Sequence, residues 1–125
     1  MSPPANPAPG FSKVPRSHIV TRPAARRVRV VAGGEVIADT REAIELKESG
    51  HAPVLYVPRK DVNMARLERT AHRTHCPFKG DASHFSIVGG AQNAAWSYEH
   101  PYDEMLEIRE MLAFYPGKVD AIRVE

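Results

Sequence analysis

Cysteine is almost absent from this sequence, since Cys76 is the only one among 125 residues. A single thiol excludes an internal disulfide and a zinc site built from cysteine pairs. No apolar run approaches the roughly 18 residues that a membrane-spanning helix requires. The first residues also lack the apolar core of a secretory signal peptide. These absences predict a cytoplasmic protein that does not enter a membrane.

Acidic residues are missing from the first 27 positions, which carry five basic residues. Six of the eleven prolines lie within residues 1–23, a composition typical of extended segments without helix or sheet. We therefore predict a proline-rich basic arm over residues 1–17 and a single domain over residues 18–125. After residue 27 the chain has 15 acidic and 12 basic residues, so its charge does not favour nucleic-acid binding.

Short β-type runs dominate the rest of the chain. Gly33-Gly34 accepts the positive φ of a tight hairpin, and Ile44 and Leu46 alternate with charged residues as in a half-buried strand. A final hairpin is predicted around Pro116-Gly117, between the two halves of AFYPGKVDAIRVE. Further strands are predicted in the stretches SHIVT, PVLYVPR, RTAHRTHC, ASHFSIV and AAWSY.

Helix is predicted in two places only. One short helix is expected near residues 102–110, because Met105, Ile108 and Leu112 share a face there. A single helical turn is expected in KDVNMARLE, with Asp61 as its N-cap. The predicted fold class is therefore mainly β, a compact antiparallel domain with one short helix.

The stretch THCPFKGDA, residues 74–82, places the only cysteine beside a histidine and near a lysine. A nearby cation lowers the pKa of a thiol and favours the nucleophilic thiolate, so Cys76 and His75 are candidate catalytic residues. However, neighbouring residues on a strand point to opposite faces, so His75 would not hydrogen-bond to Cys76. A buried, unreactive thiol is the alternative, and it is the more common one.

A metal site is the next possibility for this region. His72, His75, Cys76 and His84 are all potential ligands, but their spacing on strands does not form a tetrahedron. We therefore predict neither a metal nor another cofactor.

Basic residues on either side of the cysteine suggest an anion-binding site. Arg59 and Lys79 can both pair with carboxylate or phosphate, and Gly80 would let the backbone approach a ligand closely. Thr74 adds a hydroxyl group. Trp96 and Tyr98 lie two positions apart and share one sheet face, where they could form a pocket wall together with Tyr56.

Several segments together resemble a known family. RVRVVAGGEVIADT, YVPRKDV, RTHCPFKGDASHF, NAAWSYEHP and AFYPGKVDAIRV follow one another as in domain-of-unknown-function family 427, over roughly residues 18–125. The resemblance implies an antiparallel β fold similar to the β-tent group, which includes zinc-binding modules and methionine sulfoxide reductase B. The zinc ligands of that group are cysteine pairs, so neither zinc nor a two-cysteine reductase cycle carries over to this chain.

The family is sometimes labelled nucleotidyltransferase-like. The sequence has neither a glycine-rich phosphate loop nor an acidic pair suited to magnesium. Phe78 stands where the family commonly has tyrosine. The family-typical positions map onto Tyr56, Pro58, Arg59, Asp61, Thr74, His75, Cys76, Pro77, Lys79, Gly80, Trp96, Tyr98 and Tyr115.

Two functions follow from these residues. The first is a small-molecule-binding domain, with or without catalysis, for an anionic or amide-bearing metabolite held by Arg59 and Lys79 against Trp96 and Tyr98. The second is a non-catalytic scaffold that engages a protein partner through its arm or surface. A closed pocket lined by these residues would favour the first function, whereas a filled interior with an outer apolar patch would favour the second.

Overall fold

The structure is a computed structural model that describes residues 5–125. Within this range, ten strands form three antiparallel sheets. The strands are β1 (Ile19–Pro23), β2 (Val28–Ala32), β3 (Glu35–Thr40), β4 (Ile44–Glu48), β5 (Val54–Tyr56), β6 (Leu67–Cys76), β7 (Gly80–Ile87), β8 (Ala95–Ser97), β9 (Ala113–Phe114) and β10 (Ala121–Val124). The prediction of a mainly β, antiparallel fold is confirmed.

The sheets have the strand orders β1-β4-β5, β10-β2-β3 and β6-β7-β8-β9. Their buried side chains form two apolar clusters. One includes Val30, Ile37 and Phe85, and the other includes Leu46, Tyr56 and Tyr98. The second cluster joins the first sheet to the four-stranded sheet, and it forms the floor of the cavity described below.

The predicted hairpin at Gly33-Gly34 is confirmed. Both glycines have positive φ, 59° and 76°, a conformation that a side chain with a Cβ atom rarely adopts. The turn joins β2 to β3. The strand predicted from the alternation of Ile44 and Leu46 is also present, as β4.

The predicted final hairpin is wrong. β9 pairs with β8, whereas β10 pairs with β2 from the other end of the chain. Pro116–Lys118 forms a 3-10 turn between them. The turn residues were recognised correctly, but local sequence does not reveal that a distant strand is the better partner.

The predicted short helix is present as a 3-10 helix over Asp103–Ile108. Met105 has φ −117°, outside the helical range, so the segment is two turns joined at a kink. Met105 and Ile108 are buried beneath it. The apolar face on which the prediction rested therefore does contact the core.

Asp61 is not an N-cap, contrary to the prediction. It is the last residue of the 3-10 turn Arg59–Asp61, and the next such turn, Met64–Arg66, follows Asn63. The Thr40 hydroxyl donates a hydrogen bond of 2.8 Å to the Asp61 carboxylate. The carboxylate thus ties a loop to β3 instead of capping a helix.

The arm was predicted to lack helix and sheet, and this is wrong for the part that is described. It contains the 3-10 turns Pro9–Ser12 and Arg16–His18. Residues 1–4 of the predicted arm lie outside the described residues. The arm lies on the body, where the backbone N–H of Gly10 donates to the Pro77 carbonyl at 3.0 Å.

Carboxylates and aromatic rings hold the arm in place. The backbone N–H groups of Asn6 and Ala8 donate to the side chains of Asp103 and Glu104 at 2.7 and 2.9 Å. The ring of Phe11 packs edge-on against Phe78, with 5.0 Å between ring centroids. The arm thereby packs against the turn that carries Lys79.

None of the helices in residues 5–125 has the length and apolar character needed to cross a bilayer.

Candidate functional site

A partly enclosed cavity of about 210 Å³ lies between the end of β4, the start of β5 and the four-stranded sheet. Residues from four strands and four connecting segments surround it. They are Leu46, Glu48, His51, Ala52, Val54, Tyr56, Thr74, Lys79, Trp96, Tyr98 and Tyr115. We call this space the aromatic cavity.

Lys79 is the only lysine among the residues that line the aromatic cavity. It lies in the turn between β6 and β7, where its backbone N–H donates to the Cys76 carbonyl and its carbonyl accepts from Tyr102. Lys79 is only 8% exposed, and its ammonium group donates to Glu48 Oε1 at 2.9 Å. The cation is thus held in a fixed position beside one carboxylate.

Glu48 is the carboxylate of this pair, at the end of β4. Its Oε2 lies 3.5 Å from Nε2 of His18 and 3.9 Å from Nε2 of His51. Burial alone would raise the pKa of Glu48, but the hydrogen bond and charge of Lys79 outweigh burial and hold that pKa below its usual value. Glu48 therefore remains ionised at neutral pH.

Aromatic side chains form the remaining walls. Trp96 contacts Tyr115, with 4.4 Å between ring centroids, and lies edge-on to Tyr56 at 6.3 Å. Tyr98 is 8% exposed. Burial raises its pKa and no hydrogen bond offsets this, so its hydroxyl keeps its proton within the cavity wall.

Five of the seven predicted ligand-binding residues come together at this cavity. Tyr56, Thr74, Lys79, Trp96 and Tyr98 all line it. The structure therefore brings these five residues together, and their role as ligand contacts stays a prediction.

Arg59 does not line the cavity. Its guanidinium donates to Glu99 Oε2 at 3.2 Å, to the Ser97 hydroxyl at 3.0 Å and to the Glu110 carbonyl at 3.0 Å. Its side chain thus contacts the Glu99 carboxylate and is not beside Lys79, so the predicted pair of cations around one anion does not form.

Gly80 also has a different surrounding from the one predicted. Its φ is +110°, and a Cβ atom there would lie 3.4 Å from the His100 carbonyl oxygen. The positive φ favours glycine here, whereas a Cβ atom would be in ordinary van der Waals contact with residues 100–102. The backbone that approaches it closely belongs to the protein itself.

The two candidate catalytic residues do not line the cavity. His75 projects from the solvent side of β6, where its Nδ1 lies 2.7 Å from Asp81 Oδ1. The Cys76 thiol is half-buried and lies 3.8 Å from the Lys79 ammonium group. As expected for neighbours on a strand, the two side chains do not meet.

Sequence reasoning missed six of the lining residues, and three of these are polar: Glu48, His51 and Tyr115. Glu48 occupies an alternating strand, where a charged residue reads as part of a solvated face. Tyr115 was recognised as a family-typical position, which was the only available signal. Its role beside Trp96 depends on the pairing of β8 with β9.

Across positions 5–125, no three His, Cys, Asp or Glu side chains are grouped so that they could hold a metal ion. His72 and His84 lie close, with 4.5 Å between ring centroids, but they have no third partner of this kind. The expected absence of zinc stays a prediction.

A family model described as a domain of unknown function (DUF427) and labelled NTP_transf_9 matches residues 20–125. The match covers most of the chain, so the chain belongs to this family. No curated protein matches the sequence.

Proposed function

We propose that this member of the DUF427 family binds a small, uncharged, amide-bearing metabolite in the aromatic cavity. The observation that carries the proposal is the Lys79–Glu48 pair, 2.9 Å apart in the wall of a cavity whose other walls are largely aromatic. Such a combination of apolar walls and a few fixed polar groups is typical of ligand sites.

The size of the cavity limits the ligand. A cavity of about 150 Å³ holds benzene, and sites for drug-sized ligands begin at about 300 Å³. The aromatic cavity, at about 210 Å³, falls between these values. It therefore suits a compact molecule slightly larger than a single six-membered ring.

The hydrogen-bonding groups favour an amide. Lys79 supplies donors, and Glu48 supplies acceptors directly beside them. An amide has a carbonyl oxygen that accepts a hydrogen bond from Lys79 and an N–H group that donates one to Glu48. A flat substituent on the amide would lie against Trp96 and Tyr115, which contact each other in the wall.

Charge balance argues against the anionic ligand that sequence reasoning kept open. The charge of Lys79 is already matched by Glu48, and Arg59 contacts Glu99 instead. An anion placed beside Lys79 would also lie beside Glu48, and like charges at that distance repel.

Ligand binding without catalysis is the better-supported form of this function, because neither His75 nor Cys76 lines the cavity. The scaffold alternative gains no support from the arm. Ala8 is 6% exposed, and its backbone N–H is bonded to Glu104, so this part of the arm is occupied by the body.

The test uses benzamide, benzoate and phenyl phosphate as probes that share one ring and differ in the polar group. We expect benzamide to raise the melting temperature more than the two anions, because a ligand of the native state stabilises it. Lys79→Met should abolish the benzamide effect, and Glu48→Gln should weaken it, because the amide oxygen of glutamine still accepts a hydrogen bond but carries no charge.

Lys60→Met is the matched control, because Lys60 also pairs with a carboxylate, Glu42, but is well exposed and outside the cavity. It should retain the full response to benzamide. A larger shift with benzoate or phenyl phosphate, or an unchanged response in Lys79→Met, would contradict the proposal.

A further inference from the structure

His84 is a buried histidine directly behind the aromatic cavity. It lies on β7 opposite Trp96 and is 1% exposed. Its Nε2 is 3.5 Å from the hydroxyl of Tyr115, which lines the cavity. Its Nδ1 is buried, and no hydrogen bond of standard geometry reaches it from the residues that the structure describes, although backbone groups of Ala82 and His72 lie close enough to interact with the ring.

The surroundings of His84 keep the imidazole neutral. Burial lowers its pKa, and the charges of His72 on β6 and Lys118 in the turn after β9 act in the same direction. Backbone groups of Ala82 and His72 oppose this effect but do not outweigh it. A neutral imidazole has one ring nitrogen that donates and one that accepts.

Tyr115 keeps its proton, because burial raises the pKa of its hydroxyl. Of the two groups, the imidazole nitrogen is the stronger acceptor and the phenol is the stronger acid. Across the 3.5 Å between them, the arrangement that these two groups favour is a long, weak hydrogen bond from the Tyr115 hydroxyl to Nε2 of His84, with the histidine proton on Nδ1.

We infer that His84 fixes the direction of the Tyr115 hydroxyl, so that this wall of the cavity presents an oxygen acceptor and selects ligands that carry an N–H group. The only hydrogen of the hydroxyl is used by His84, and lone pairs of the oxygen remain for the cavity. This inference rests on the proposed function and adds that the amide must be primary or secondary. His84 does not line the cavity, so it is a positioning residue.

The binding test compares benzamide with N,N-dimethylbenzamide, which keeps the carbonyl oxygen and lacks the N–H. Isothermal titration of both probes gives a preference for benzamide as a ratio of dissociation constants. His84→Phe should reduce this ratio roughly tenfold, which corresponds to the loss of one neutral hydrogen bond. Tyr115→Phe should reduce it by a similar factor.

A double-mutant cycle separates this role from a merely structural one. If His84 acts through the Tyr115 hydroxyl, His84→Phe should not change the ratio further when Tyr115 is already phenylalanine. Tyr102→Phe removes a hydroxyl outside the cavity and serves as the control with an unchanged ratio. Additive effects of His84→Phe and Tyr115→Phe would overturn the inference.

An independent readout does not require any ligand. Nitrogen-15 NMR of the histidine side chains should find the proton of His84 on Nδ1 at neutral pH, with a signal that changes in Tyr115→Phe. A proton on Nε2 would overturn the inference whatever the ligand is. Failure of benzamide to bind the native protein would contradict the proposed function alone, and the NMR result would still decide the role of His84.

Discussion

Lys79 and Arg59 are both paired with a glutamate, yet the two pairs differ in how many hydrogen-bond donors and acceptors remain free. Glu99 accepts hydrogen bonds from Arg69 at 2.6 and 2.7 Å, from Arg59 at 3.2 Å and from the Ser83 hydroxyl at 2.7 Å. A carboxylate has about four acceptor positions, so Glu99 is saturated. Glu48 accepts one close hydrogen bond, from Lys79.

This difference shows why a charged pair alone does not identify a binding site. The Arg59–Glu99–Arg69 group lies over Phe85, with both guanidinium carbons within 6 Å of the ring centroid, and it joins residues that are distant in sequence. It is a structural clamp. The Lys79–Glu48 pair has unused donors and acceptors in a cavity wall, which is what a ligand requires.

The largest expected effect is a loss of stability when the carboxylate of the Arg59–Glu99–Arg69 group is removed. Glu99→Ala would leave two arginines without their carboxylate, and because all three side chains are partly exposed we expect the free energy of unfolding to fall by about 2 kcal/mol. Benzamide binding should be unchanged. Urea denaturation measures the loss, and Glu42→Ala, at an exposed pair, is the control with a loss of about 0.5 kcal/mol or less. Equal losses in the two variants would show that Glu99 is not a clamp.

Acid should weaken the clamp within a defined range of pH. The hydrogen bond from Arg69 is the main cause that lowers the pKa of Glu99 from 4.5 to about 2. Because the pKa is depressed in the folded state, the resulting stability is complete above the ordinary value and disappears as the pH falls towards 2.

Denaturation of the native protein and of Glu99→Gln between pH 5 and pH 2 measures this effect. The difference between them should shrink by about 2 kcal/mol after allowance for solvent screening. A difference that stays constant over this range would contradict the assignment of the acid dependence to Glu99.

The cavity pair should depend on the arm, and the clamp should not. A Cβ atom at Gly10 would lie 2.6 Å from ring carbons of Phe78, so Gly10→Ala must displace the ring next to Lys79. We expect a loss of about 1 kcal/mol and chemical-shift changes near Lys79 but not near Glu99. Gly117→Ala has no atom within 4 Å of the new methyl group and should leave both regions unchanged.

The smallest expected effect concerns the thiol beside Lys79. Cys76→Ser should lower the free energy of unfolding by about 1 kcal/mol and leave benzamide binding intact, because Cys76 does not line the cavity. Calorimetry on this variant and on Lys79→Met makes the comparison. Loss of binding in Cys76→Ser alone would assign the chemistry to the thiol instead.

Local patterns predicted the features that depend on neighbouring residues. The Gly33-Gly34 turn, strand β4 and the turn after Cys76 follow from side chains within a few positions of one another. Trp96 and Tyr98 were expected to share a sheet face, and both line the cavity, although β8 ends at Ser97. These features need no knowledge of distant parts of the chain.

Features that depend on long-range pairing could not be predicted. Arg59 contacts Glu99, 40 positions away, and no residue near Arg59 in the sequence predicts this partner. Glu48 looks like a solvated residue until the turn containing Lys79 packs against it. The same cause explains the incorrect final hairpin, because the true partner of β10 lies near the other end of the domain.

The pairing of β10 with β2 affects folding during synthesis on the ribosome. β2 pairs with β3 through a tight turn, but its other edge pairs with β10, with Val31 opposite Ala121. Ribosomes add about 5–20 residues per second, so β2 waits several seconds for the strand that covers it. During that time its open edge can pair with other chains. We therefore expect the yield of folded protein to depend on translation speed and chaperone supply more than its final stability would indicate.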